Sequence, residues 1–125
     1  MTYLGWTLAR ALVAAGLVFM PLAIAQAAGA LAVGTCGAYG FAFDFAGDTV
    51  ARNAALRKCE GECKVVAALS RNCAAFAVDM RNACGFHAHA TAARLGLAQN
   101  QALRQCYQNG GKDCVVRAFV CDAKG

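Results

Sequence analysis

The stretch Ala51–Cys73, ARNAALRKCEGECKVVAALSRNC, returns in altered form as Ala98–Cys121, AQNQALRQCYQNGGKDCVVRAFVC. The copies agree at Ala51/Ala98, Asn53/Asn100, Ala55/Ala102, Leu56/Leu103, Arg57/Arg104 and Cys59/Cys106. In each, a second cysteine (Cys63, Cys114) opens a β-branched run and a third (Cys73, Cys121) closes it. Repetition at this period is a tandem repeat, and it decides the architecture before any single residue is weighed. It leaves the function open.

Matched segments precede the two copies. Gly29–Thr35 and Ala74–Met80 read as short strands of small and β-branched residues. Cys36–Phe45 and Cys84–Ala90 form a second matched pair. Within the first of these, Tyr39 to Phe45 alternates large and small side chains, the period of a strand. Asp48 is expected as the N-cap of a helix over Thr49–Lys58, with Ala51, Ala55, Leu56 and Cys59 on one side. The counterpart helix is expected over about Ala92–Tyr107, capped by Thr91 and stopped by Asn109-Gly110-Gly111. Gly96 near its start costs about 1 kcal/mol against alanine and makes the first turn irregular. Lys64–Leu69 and Val115–Val120 are the closing strands. The fold class is therefore α+β, two strand–strand–helix–strand repeats (about 29–73 and 74–121) sharing an antiparallel or mixed sheet.

The first residues, MTYLGWTLARALVAAGLVFMPLAIAQAAG, place Arg10 before an apolar run, Ala11–Ala25, followed by Ala25-Gln26-Ala27. A small-x-small site after an apolar run is the pattern of a secretory signal peptide, cut after Ala27 to leave a mature chain from Ala28. The run is broken by Pro21 and falls short of the about 20 residues that a membrane span needs. Membrane contact is expected only through an uncleaved signal. Residues 28–125 then form a single small domain with a marginal core, for which covalent crosslinks matter. All 8 cysteines lie after the leader, an even number in an exported chain, so disulfides are the default.

Equivalent placement in the two copies pairs Cys59 with Cys63 and Cys106 with Cys114, each joining a helix end to the next strand. The other four, Cys36, Cys73, Cys84 and Cys121, can pair as 36–84 with 73–121 or as 36–73 with 84–121, and both schemes respect the repeat. The spacings lack the doubled C-x2-C of a zinc ribbon and the C-x-x-C of a redox site.

The remaining chemistry is sparse. Basic residues exceed acidic ones, 12 to 7, but are scattered and do not interleave with stacking aromatics, so no nucleic-acid partner is expected. His87 and His89, the only histidines, share one face of a strand, with no carboxylate nearby in sequence to complete a metal shell. No metal or cofactor is expected. Ser70 is the only serine and lacks the G-x-S-x-G setting of a nucleophile. Asp48 is assigned as a cap, and Glu60 and Glu62 as solvated turn charges, which leaves no carboxylate pair for glycoside chemistry.

The pattern of an alanine-rich helix ending in ALxxC, a Gly-containing turn, C-x-V-V, R-N-x-C-A-A and then a second ALxxC…C-V-V…V-C resembles bacterial domain-of-unknown-function family 4189. The resemblance covers essentially all of the mature chain. It implies a small exported protein, secreted or periplasmic, with paired repeats and disulfides and no assigned reaction. The family's usual six cysteines leave Cys73 only Cys121 as a partner, which favours 36–84 with 73–121. Here the Cys36/Cys84 pair is additional, and the usual aromatic-glycine run of the second half reads Gly85-Phe86-His87-Ala88-His89.

Superposing Cys36 on Cys84 sets Tyr39 on His87, Phe41 on His89 and Phe43 on Thr91. The opposite face carries Ala38, Gly40 and Ala42 against Phe86, Ala88 and Ala90. Small residues let an alanine-faced helix approach closely, so the helices are expected on that side. The row Tyr39, Phe41, Phe43, His87 and His89 then points away from them, either as core or as a recognition face covered by a partner or a second copy. The expected role is an exported, non-catalytic binding module. The alternative is an envelope or secreted hydrolase, or an inhibitor or immunity-type protein acting on one.

Overall fold

Alternation of small and large side chains, clearest along Tyr39–Phe43 and His87–Thr91, helps give each sheet one flat face and one bulky face. A computed structural model describes residues 15–18 and 27–122. The leader expected over residues 1–27 lies, apart from residues 15–18 and 27, outside the described residues. Among the described residues no helix is long and apolar enough to cross a membrane.

The first half runs β1 (Ala28–Gly34), a short 3-10 turn, β2 (Tyr39–Phe45), α1 (Asp48–Lys58) and β3 (Cys63–Leu69). The second runs β4 (Cys73–Asp79), β5 (His87–Ala92), α2 (Leu95–Gln108) and β6 (Cys114–Cys121). The order strand–strand–helix–strand thus occurs twice. Each half forms its own three-stranded antiparallel sheet, β2-β1-β3 and β5-β4-β6, so the sheet system is two stacked sheets. Registers correspond closely. Leu31 faces Ala67 as Phe76 faces Ala118, and a β-bulge follows in both, after Leu31 and after Phe76.

The bulky faces meet between the sheets. Leu31, Val33, Leu69, Phe76, Val78 and Val120 form a buried cluster there, with Phe41 packed against it. Phe76 is 1% exposed, and truncating such a side chain to alanine costs about 3–5 kcal/mol. The small faces turn outward, each under its own helix. Ala51, Ala54 and Ala55 of α1 rest on Ala30, Ala32 and Ala42, and Ala98 and Ala102 of α2 rest on Ala75, Ala77, Ala88 and Ala90. The layers are helix, sheet, sheet, helix. Gly40 shows how close α1 comes. A Cβ there would lie 2.6 Å from the Cys59 backbone nitrogen and 2.8 Å from the Lys58 carbonyl carbon, so only glycine fits under the helix.

Helix placement on the alanine side agrees with the sequence reading, with local corrections. Ala54 takes the buried place expected for Leu56, which is half-exposed. Asp48 is the first helical residue and not the cap. Gly47 occupies the cap position, and the Asp48 carboxylate accepts instead from Arg52 Nε at 2.7 Å, one turn on. Thr91 does not cap α2. It belongs to β5, and α2 starts three residues later than expected, at Leu95 behind an Arg94 cap position. Gly96 therefore falls in the first turn, where its cost is small. The helix ends at Gln108, and Gly110 (φ +113°) turns the chain.

Four disulfides staple the fold: Cys36–Cys84, Cys59–Cys63, Cys73–Cys121 and Cys106–Cys114. The two local bridges fasten each helix end to the following strand. Cys73 opens β4 and does not close the first half, so it sits opposite Cys121 on the neighbouring strand of the same sheet. Cys36–Cys84 is the only bridge between the halves.

Candidate binding groove

Edge strands are where a stacked pair of sheets can leave apolar surface uncovered, since the bulky face of an edge strand has a neighbour on one side only. Here β2 lies over β6, while β3 lies toward β4. The β2 and β5 edges are consequently on opposite flanks of the sandwich. The five residues of the expected recognition row do not form one face: Tyr39, Phe41 and Phe43 line one flank, and His87 and His89 lie on the other.

On the first flank the three rings form a ladder. Tyr39 and Phe41 stack with centroids 6.3 Å apart, and Phe41 and Phe43 follow at 6.5 Å. Phe41 is packed into the inter-sheet core, whereas Tyr39 is 37% and Phe43 50% exposed. The row is thus part core and part surface. Facing it across the edge is β6, and together they enclose an apolar groove of about 410 Å³ lined also by Val116, Arg117, Phe119 and Val120. That volume is within the range of small-ligand sites.

Both ends of the groove are fixed by polar contacts. At the Tyr39 end, Arg117 occupies the β6 bulge and donates from Nε to the Gly37 carbonyl at 3.1 Å, with its guanidinium 5.8 Å from the Tyr39 ring centroid. At the Phe43 end, Asp44 is held in the left-handed region (φ +57°) and its N–H donates to Asp122 Oδ1 at 3.1 Å. Asp122 is fully buried, and its Oδ2 meets no donor among the described residues. A buried carboxylate thereby ties the end of β2 to the end of β6.

The opposite flank has the same topology and different contents. His87, His89 and Thr91 stand in place of Tyr39, Phe41 and Phe43; Val66 and Ala68 stand in the registers of Arg117 and Phe119. His87 packs edge-on against Phe76 at 6.0 Å, and its Nδ1 lies 3.3 Å from the Gly85 carbonyl oxygen. Partial burial of the His89 ring, then the charges of His87 and Lys64, hold its pKa below the ordinary 6.5. A wider depression of about 680 Å³ joins His87 and Lys64 to the Cys36–Cys84 bridge, without His89. Among the described residues no three His, Cys, Asp or Glu side chains gather as a metal site would require. Elsewhere Asp79 accepts from the backbone N–H groups of Arg81 (3.0 Å) and Lys112 (3.2 Å), which lower its pKa and join the β4–β5 turn to the α2–β6 loop.

Sequence reasoning named the three rings of β2 and missed Arg117, Phe119 and Asp122. A signal was present: at the positions of Val66/Arg117 and Ala68/Phe119 the copies differ in size and charge, while their flanking positions match in type.

The fold and its crosslinks define a class, the small disulfide-stapled α+β domain with helices outside two stacked sheets. Within that class the chain belongs to the family described as a domain of unknown function, DUF4189, whose profile matches residues 28–121. No curated protein and no solved structure matches it.

Proposed function

We propose that this chain is an exported, non-catalytic binding module whose working surface is the groove between β2 and β6. Four disulfides fit an oxidising, extracellular-type compartment, and the Ala25-Gln26-Ala27 site supports export with a mature chain from Ala28. The observation that carries the binding reading is the difference between the flanks. The same strand, bulge and strand arrangement holds at the β5–β3 flank with two histidines and small residues. The fold therefore does not need four aromatic residues at the β2–β6 flank, and half-exposed Tyr39, Phe43 and Phe119 carry a solvation cost that contact with a ligand or partner would relieve.

The test uses Nile red, a neutral apolar fluorophore. The native protein is expected to brighten the dye, and the Tyr39→Ser/Phe43→Ser double variant to lose that response while melting within a few degrees of the native chain. A stability loss of about 3–5 kcal/mol, the size for a deleted core aromatic, would show that the row is core and defeat the proposal. N-terminal sequencing of exported protein is expected to begin at Ala28, and material retaining Met1 would contradict export by cleavage.

A further inference from the structure

The groove is apolar along its length but carries a cation, Arg117, at one end, and this polarity selects a class of ligand. Arg117 lines the groove and also the adjoining depression at the Tyr39 end, where Lys58 and Glu60 stand. It forms no ion pair with any described carboxylate, and only its Nε is engaged, by the Gly37 carbonyl. Its two terminal NH2 groups have no partner among the described residues. The Tyr39 ring beneath the guanidinium and the Gly37 bond restrict it, so little rotamer freedom remains to be lost when it binds an anion. The bulge that carries it is a device for re-aiming a side chain, and in the matching bulge of the other sheet the residue is Val66. At the far end stand Asp44 and buried Asp122. From Tyr39 to Phe43 the strand extends roughly 14 Å, at about 3.4 Å per residue.

Resting on the groove reading above, we infer that the ligand is a small amphiphile with one negative charge: a carboxylate that pairs with Arg117 and a straight apolar body that lies along Tyr39, Phe41, Phe43 and Phe119. A cationic head finds at the Tyr39 end only Arg117 and Lys58 opposed by a single Glu60. Planar guanidinium matches carboxylate geometry with paired hydrogen bonds, and the apolar ladder supplies affinity in proportion to the length of chain buried.

The experiment is isothermal titration of the full mature protein with octanoate, decanoate and decyltrimethylammonium, each below its micellar concentration, and with decanol below its solubility limit. Decanoate is expected to bind more tightly than octanoate by about tenfold, from roughly three- to fourfold per buried methylene. It should exceed decanol by about ten- to a hundredfold, the range for a charge-assisted hydrogen-bonded pair, and decyltrimethylammonium should bind weakest. Arg117→Gln is expected to bring decanoate down to the level of decanol, and Arg117→Lys, which keeps the charge but not the fork, to fall between. Both variants are to be checked for unchanged melting; if Gln destabilises the fold, the loss of decanoate preference with rising salt in the native protein decides the same point. Decanol binding as tightly as decanoate, or tighter binding of the cation, would overturn the anionic assignment and leave the groove reading standing. An Arg117→Gln protein that folds and keeps the preference would overturn the pairing of the carboxylate with Arg117. Absence of binding by all four compounds would overturn this inference, while the Nile red response judges the groove separately.

Discussion

Cys36–Cys84 and Cys73–Cys121 close loops of the same length, a sequence separation of 48 in each case, yet they sit in opposite surroundings. In the chain-entropy treatment, loop length alone sets the stabilisation, which comes to about 4 kcal/mol for either bridge. Against a total stability of about 5–15 kcal/mol, losing either is severe. Cys73 is fully buried against the alanines under α2, whereas Cys36 and Cys84 are exposed in the β1–β2 and β4–β5 connections. Replacing both members by alanine should therefore cost about 4 kcal/mol for Cys36/Cys84. For Cys73/Cys121 it should cost more by on the order of 1 kcal/mol, because sulfur is also deleted from a packed interior. Melting points should fall by roughly 15–30 °C for the first pair and further for the second. The assay is guanidinium unfolding of both double variants under non-reducing conditions, with equal m-values confirming comparable unfolded states. A Cys36→Ala/Cys84→Ala chain that loses less than about 1 kcal/mol would refute the reasoning, by showing that the crosslink does little to limit the freedom of the unfolded chain. A smaller loss for the buried pair than for the exposed one would refute the burial argument.

Gly40→Ala places a methyl against the backbone of α1 and is expected to cost about 1–3 kcal/mol, read as a lower unfolding midpoint; Ala88→Gly at the matching place under α2 should cost only about 0.5–1 kcal/mol. The depressed pKa of His89 means that the unfolded chain takes up a proton before the native one does. Stability should therefore rise with pH between the folded pKa and 6.5 and fall as the solution is acidified below 6.5. The ring faces His87 on its own strand and Lys64 on β3. His89→Gln should flatten that window in thermal melts taken across it, and an unchanged slope would contradict the assignment. Asp79, with its pKa lowered below 3.8 by the Arg81 and Lys112 N–H groups, gives stability that is present above 3.8 and is lost as pH falls through its folded pKa; Asp79→Asn should be less stable at neutral pH and lose this acid limb.

What could be read from the chain and what could not divide along a physical line. The alternation in Tyr39–Phe45 and the alanines at Ala51, Ala55, Ala98 and Ala102 are local patterns, and they placed helices on the small faces correctly. The preferred pairing of Cys36 with Cys84 and Cys73 with Cys121 also appears in the structure, although the repeat alone allowed a second scheme. Helix starts were misplaced because the expected caps, Asp48 and Thr91, compete for other roles: Asp48 meets Arg52 within its own helix, and Thr91 is held by strand pairing with Ala74. The division of Tyr39, Phe41 and Phe43 from His87 and His89 was beyond local reading. Equivalent positions in two repeats fall on one surface if the repeats extend a common sheet, and on opposite flanks if the sheets stack face to face. Sequence periodicity is identical in the two cases. Asp122 gave no sign either, since its role depends on a left-handed Asp44 brought near by the stacking of β2 on β6.

The stacking also separates what holds the molecule together from what it presents. Leu31, Phe76 and their neighbours fill the interior between the sheets, the alanine layers fix the helices, and of the eight cysteines only Cys121 borders the groove. Most of the buried residues thus lie away from the groove, and Phe41, Ala118 and Val120 are among those that serve both the interior and its wall. Such an arrangement allows Tyr39, Phe43, Arg117 and Phe119 to differ from their counterparts His87, Thr91, Val66 and Ala68, because these four are exposed and lie outside the buried cluster between the sheets. A chain with two equivalent flanks and one stapled interior can carry an aromatic row with Arg117 on one flank and two histidines beside Lys64 on the other. The asymmetry between flanks, more than any single residue, is the observation behind our proposal that the β2–β6 groove binds a ligand.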